Sequence, residues 1–349
     1  MDKYRILIEN DYNRITENSR YFSGCVYNQT KTYPPKSRIT FSDNVKILSK
    51  IPSAYSIPLL FVKEENKSKP YKSHIKKEII NIDTEINSIT DLLKLIKDNP
   101  IVENVEYNID IETLHKIREP LTELNHMIGM KSLKDNVIDQ IIYYIQNFHK
   151  LGKCEGDFMH TVIYGPPGTG KTELAKLIGK IFSKLGILKK DIFRKVTRSD
   201  LIAGYLEQTA IKTKDVIKDT LGGVLFIDEA YSLGNDEKRD SFAKECIDTL
   251  CEALSDYKDN IMIIIAGYES ELKTCFFSYN SGLESRFPWR FKTDEYTAAE
   301  LRQIFIKKVK DAGWNIHTDE NIINEEWFKK NIDYFKYYGR DMETLFAKS

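Results

Sequence analysis

The stretch "GPPGTGKT", Gly165 to Thr172, limits what this chain can fold into more than any other feature. It matches G-x-x-x-x-G-K-[ST] and stands between "HTVIYG", an apolar run of strand length, and "TELAKLIGKIFSKL", an amphipathic run at helical spacing. Glycines there let backbone N–H groups curl around a phosphate, and the helix that follows points the positive end of its dipole at that charge. Gly165, Pro166, Pro167, Gly168, Thr169 and Gly170 are the expected cradle. Lys171 is expected to reach the β- and γ-phosphates of ATP, and the Thr172 hydroxyl to ligate Mg²⁺.

"VLFIDEA" supplies the second half. Its four apolar residues, Val224 to Ile227, read as a buried strand that delivers Asp228 to the C-terminal edge of an open α/β sheet, where ligands bind. Asp228 is expected to hold the metal, and Glu229 to polarise an attacking water. The second acid favours hydrolysis over passive binding.

"DIFRKVT", "GGVLFIDEA", "SFAKECIDTLCEALSDY" and "NIMIIIAG" continue the alternation of strand-length and helical runs. That order predicts a parallel sheet with helices on both faces. From Thr297 onward only helical spacing remains, which predicts a small all-helical lid. Upstream, "SITDLLKLIKDN" predicts a helix capped by Ser88 or Thr90, and Leu133, Val137, Ile141, Tyr144 and Ile145 fall on one helical stripe. Residues 63–78 read as a polar linker or a charged loop. The expected organisation is an unassigned N-terminal region over 1–115, an α/β domain over 116–296 and the lid over 297–349. The ending "LFAKS" reads either as a minimal lid or as part of a longer protein.

Lys+Arg and Asp+Glu balance at 52 each, so no global field draws the chain to nucleic acid or an anionic membrane. The five cysteines form no CxxC pair, and no run of about 18 apolar residues occurs. A cytoplasmic protein with reduced thiols is expected.

The segments "ELNHMIGMKSLKDNV", "RSDLIAGYLEQTAIKTKDV", "GGVLFIDEAYSL", "IMIIIAGY" and "SGLESRFPWRF" resemble, in order and spacing, those of AAA+ ATPases of the CbxX/CfqX type. That group includes the red-type Rubisco activases. The resemblance covers roughly residues 120–349 and implies a P-loop NTPase sheet with a helical lid. Ile128 and Gly129 match the adenine-pocket segment, Arg286 the arginine finger that reaches a neighbouring subunit's nucleotide, and Arg340 the sensor arginine of the lid. Arg290 is the alternative finger. Gly267 and Tyr268 stand where many relatives place a polar sensor. Tyr205 matches the aromatic of a pore loop, against the alternative of a packed tyrosine, and Glu207 departs from the glycine common there.

The resemblance implies a homo-oligomer, a hexameric ring, that remodels a protein substrate. The alternative is an ATP-dependent scaffold or switch that recruits partners through residues 1–115. A nucleic-acid motor is disfavoured by the charge balance. "KSRITFSD", with Ile39 and Phe41, is similar to a short phosphatase-docking string and reads equally as an ordinary strand.

Overall fold

The computed structural model describes residues 78–147, 158–205, 208–235, 240–314 and 323–349. Glu207, the docking-like string at 36–43 and all of the expected linker except Glu78 lie outside these residues. Strand β1 (Glu78–Ile80) pairs in parallel with β2 (Val105–Tyr107) across helix α1 (Ile89–Asp98). Ser88 caps α1, its hydroxyl accepting the Asp91 N–H at 3.3 Å, and Leu92, Leu95 and Ile96 are buried as the spacing predicts. Helix α2 (Ile111–Asn125) starts on the Asp110 side chain. Helix α3 (Lys131–Ile145) buries Leu133, Val137, Ile141 and Tyr144.

The remaining apolar runs form one parallel sheet: β3 (Thr161–Tyr164), β4 (Phe193–Val196), β5 (Val224–Ile227), β6 (Met262–Gly267) and β7 (Trp289–Lys292). Their spatial order is β4-β5-β6-β3-β7. The three central strands are buried at every position, whereas edge strand β7 exposes Arg290 and Lys292 and buries Phe291. A parallel sheet covered on both faces demands continuous apolar runs at its centre, and only its edges can carry charge.

Side-chain alternation along each strand divides the core in two. Ile163, Phe226, Ile264 and Phe291 join one apolar cluster with α1 to α3 and with α4 (Lys171–Lys184), through Leu174, Ile178 and Phe182. Val162, Leu225, Ile227 and Ile263 join the other, which contains Ile217 of α6 (Gln208–Thr220) and Leu250 of α7 (Ser241–Asp256). Between β4 and α6 lies the one-turn helix α5 (Arg198–Leu201), and α8 (Glu269–Cys275) follows β6.

After β7 the α-helices among the described residues are α9 (Ala298–Asp311), α10 (Glu325–Lys330) and α11 (Gly339–Lys348). Thr297 and Glu300 form a reciprocal capping box that starts α9, and Phe305 of α9 meets the fully buried Phe328 of α10. Leu301, Phe328 and Met342 belong to the same cluster as α1 to α4, so these helices are packed onto the sheet side that carries α4. The compact unit runs through Glu78 to Ser349 and takes in α1 and β2. The physical reason is that Ile89, Leu92 and Ile96 have no core of their own and complete the one built on α2 and α3. No helix among the described residues is long and apolar enough to cross a membrane.

Candidate functional site

β3 ends at the mouth of a cleft of about 830 Å³, within the size range of ligand pockets. The loop that follows is built from backbone conformations few side chains tolerate: Gly168 has φ +79° and Gly170 φ +83°. At Gly168 space is a second constraint, because a Cβ would lie 1.9 Å from the Tyr337 carbonyl oxygen, and the Gly339 N–H donates to the Gly168 carbonyl at 3.0 Å. The start of α11 therefore rests directly on the loop.

Gly165, Pro167, Gly168, Gly170, Lys171 and Thr172 line the cleft, and across it stand Asp228, Glu229, Gly267, Tyr268 and Arg340. Lys171 folds over the loop, its ammonium donating to the carbonyls of Gly165 at 2.8 Å and Pro166 at 2.7 Å. Burial pushes its pKa down, Arg340 adds to that, and Asp228 and Glu229 pull the other way. Glu229 is exposed and holds φ 51°, ψ 45°, the left-handed region, at a cost of about 1–3 kcal/mol for a residue with a Cβ. That conformation turns the chain sharply at the end of β5.

Asp228 already draws a cation. Lys195 of β4 places its ammonium 2.7 Å from the Asp228 carboxylate. With the Thr172 hydroxyl on the same cleft, the donors are hard oxygens, the set that suits Mg²⁺. A second cleft of about 640 Å³, lined by Lys195, Thr197 and Ser199 among others, shares Asp228, Glu229 and Arg340 with the first.

Several expected site residues lie elsewhere. The Thr169 side chain is buried and turned inward, donating to the Pro166 carbonyl at 2.8 Å. Gly129 sits behind Ile128, which lines the cleft, and packs against Glu300 and Tyr296. Arg286 does not line the cleft: its Nε donates to the Ser255 hydroxyl at 2.8 Å and a terminal nitrogen to the Gly282 carbonyl at 2.5 Å. Arg290 pairs with Glu284 at 2.8 Å and lies over the Phe277 ring. Tyr205, 72% exposed, stands just after α5 and is not among the residues that line the cleft.

The residue pattern alone left out Lys195, Met127, Leu177, Tyr231 and Tyr296, all of which face the site. Lys195 sits in a strand whose other residues are Phe193, Arg194 and Val196, a mixed pattern that marks an edge strand but not a contact to Asp228. Tyr296 lies beyond the last strand, and its hydroxyl donates to the Thr169 carbonyl at 3.2 Å.

Fold and cleft together define a P-loop nucleotide-binding ATPase. The sequence pattern of the AAA family, ATPases associated with various cellular activities, matches residues 161–290. The chain is 40% identical over 238 residues to a cfxQ-like protein of Acanthamoeba polyphaga mimivirus, covering 68% of this chain and 58% of that protein. It is 36% identical over 242 residues to stage V sporulation protein K of Bacillus subtilis, covering 66% of this chain and 73% of that one. With CfxQ of Xanthobacter flavus it shares 32% identity over 235 residues, covering 65% and 74%. The chain belongs to the AAA family of ATPases and, within it, to the CbxX/CfqX type.

Proposed function

We propose that the chain is an ATP-driven motor that remodels a protein substrate as a ring of identical copies, six in the expected form. The observation that carries this reading is the division of charged groups: Lys171, Asp228, Glu229 and Arg340 share one cleft, while Arg286 lies outside it. A site that lacks one guanidinium in its own chain can receive it from a neighbour.

Thr172 and Asp228 would hold Mg²⁺, whose charge offsets that of the phosphates. Glu229 takes a proton from water as the water oxygen attacks the γ-phosphorus and the bond to the β–γ bridging oxygen breaks. Lys171 exchanges its two loop carbonyls for phosphate oxygens, and Arg340 follows the γ-phosphate from the lid. Because the Gly339 N–H is bonded to the Gly168 carbonyl, a shift of the loop on hydrolysis is transmitted to α11. Arg286 of an adjacent copy completes the charge, and Tyr205, exposed on its loop, grips extended polypeptide in the channel.

The test is ATPase rate per subunit against protein concentration. A steep rise followed by saturation supports sites completed between copies, and a flat line returns the chain to the scaffold or switch reading. Tyr205→Ala is expected to keep basal ATPase and lose remodelling of an unfolded polypeptide; loss of ATPase together with a lower thermal midpoint removes Tyr205 from the channel.

A further inference from the structure

The turn between α2 and α3, residues 126–130, lines the cleft through Met127 and Ile128, together with Leu177, Tyr296 and Ile304. It is an awkward piece of backbone. Gly129 and Met130 both take positive φ, +67° and +54°, and a methionine pays for that conformation. Helix α2 ends on this turn with no basic residue in its own last turn. Its final carbonyls carry the negative end of the helix dipole and need donors.

Those donors include Lys134. Its ammonium, partly buried, donates to the carbonyl of Asn125 at 3.1 Å and to that of Met127 at 2.5 Å. The lysine sits in the first turn of α3, the end where a positive charge is least favourable, and that first turn has no acid to offset it. Burial pushes its pKa down, and Glu300 of α9 pulls it up. Glu300 is also what Gly129 packs against, a Cβ at Gly129 falling 2.8 Å from its Oε1. One ammonium thus joins the end of α2 to the cleft-lining turn, and Gly129 of that turn packs against the start of the lid.

We propose that Lys134 is a positioning residue for the nucleotide base: it fixes the 126–130 turn so that Met127 and Ile128 present a preformed apolar slot to a flat ring. This rests on the reading of the cleft as the nucleotide site. Lys134 touches neither phosphate nor metal, so its effect is confined to the base end. Removing the ammonium leaves two carbonyls without a donor and lets the turn relax toward less strained backbone.

The experiment is a binding titration on the full chain with a ribose-labelled fluorescent ATP, competed by inorganic tripolyphosphate, which carries the phosphates without the base. Lys134→Met is expected to weaken the labelled ATP about tenfold and leave the tripolyphosphate inhibition constant unchanged. Lys134→Arg, which keeps a charged donor, should recover most of the loss. If the methionine variant does not fold, Lys134→Gln, with one neutral donor, serves in its place with the same split. Unchanged ATP binding overturns the proposal, as does an equal loss for ATP and tripolyphosphate, which would mean a general effect on the cleft. The nucleotide reading is checked separately by Lys171→Ala: if that variant binds both probes as the unsubstituted chain does, the site itself is misassigned and the role of Lys134 falls with it.

Discussion

The cleft and the turn that carries Arg286 treat their charges in opposite ways. In the cleft, Glu229 is exposed on strained backbone, Lys171 makes do with two carbonyls of its own loop, and Asp228 is held by a lysine from the next strand. In the turn, Arg286 is bonded to Ser255 and Gly282, and Arg290 to Glu284 and the Phe287 carbonyl. The first region gathers its charges on one shared cleft, where a ligand bound within the chain would meet them. The second satisfies its arginines internally, so any service to a neighbouring copy requires Arg286 to leave bonds it already has. Under the proposed function, that exchange would make the second region the point of control, with hydrolysis rather than binding dependent on assembly.

Replacing Arg286 is expected to show the difference most strongly. Arg286→Ala should cut ATPase by about 10³-fold or more at saturating protein while fluorescent-ATP affinity stays the same. A matching loss of affinity would place Arg286 in its own chain's site and erase the contrast. Glu229→Gln comes next, with ATP retained and turnover lowered by about 10²- to 10⁴-fold, read by single-turnover hydrolysis. Unchanged turnover moves the catalytic base to another residue.

The smallest effect concerns what holds the arginine turn in place. His160 is fully buried, its Nδ1 accepting the Ile263 N–H at 3.1 Å, while Nε2 sits 3.1 Å from the carbonyl of Leu254, the residue before Ser255. Burial is the main cause that lowers its pKa to about 4. A base with a depressed folded pKa binds its proton more readily when unfolded, so stability contributed by neutral His160 is complete above about pH 6.5 and falls as the pH drops toward 4. His160→Gln should flatten the stability curve by up to about 1.4 kcal/mol per pH unit in that window, read from denaturant midpoints. An unaltered slope assigns the acid sensitivity to other groups.

Much of the cleft was legible because its chemistry is local. A loop that wraps a phosphate must have glycines at fixed spacing, and positive φ at Gly168 and Gly170 is what that spacing encodes. The same holds for Ser88 as a cap and for β5, whose four apolar residues are all buried. Thr169 shows the limit: the motif marks it as part of the loop but does not say that its hydroxyl closes that loop on Pro166. Lys195 and Lys134 were illegible for a different reason. A lysine in a short strand or at a helix start reads as a solvated charge, and nothing nearby in the chain names its partner.

By itself the sequence determined the class of fold, the phosphate loop, the acidic pair that ends β5 and the existence of a helical lid, since each depends on neighbours a few residues apart. Only the tertiary structure decided which residues meet across the cleft. β4 had to be laid beside β5 before Lys195 could reach Asp228, and the 126–130 turn had to close on α3 before Lys134 could cap α2. The lid had to fold back before Gly339 met Gly168, residues 171 positions apart in the chain and 3.0 Å apart at their hydrogen bond. Such contacts follow from burying two apolar faces on one sheet, a condition of the whole chain that no short stretch of it records.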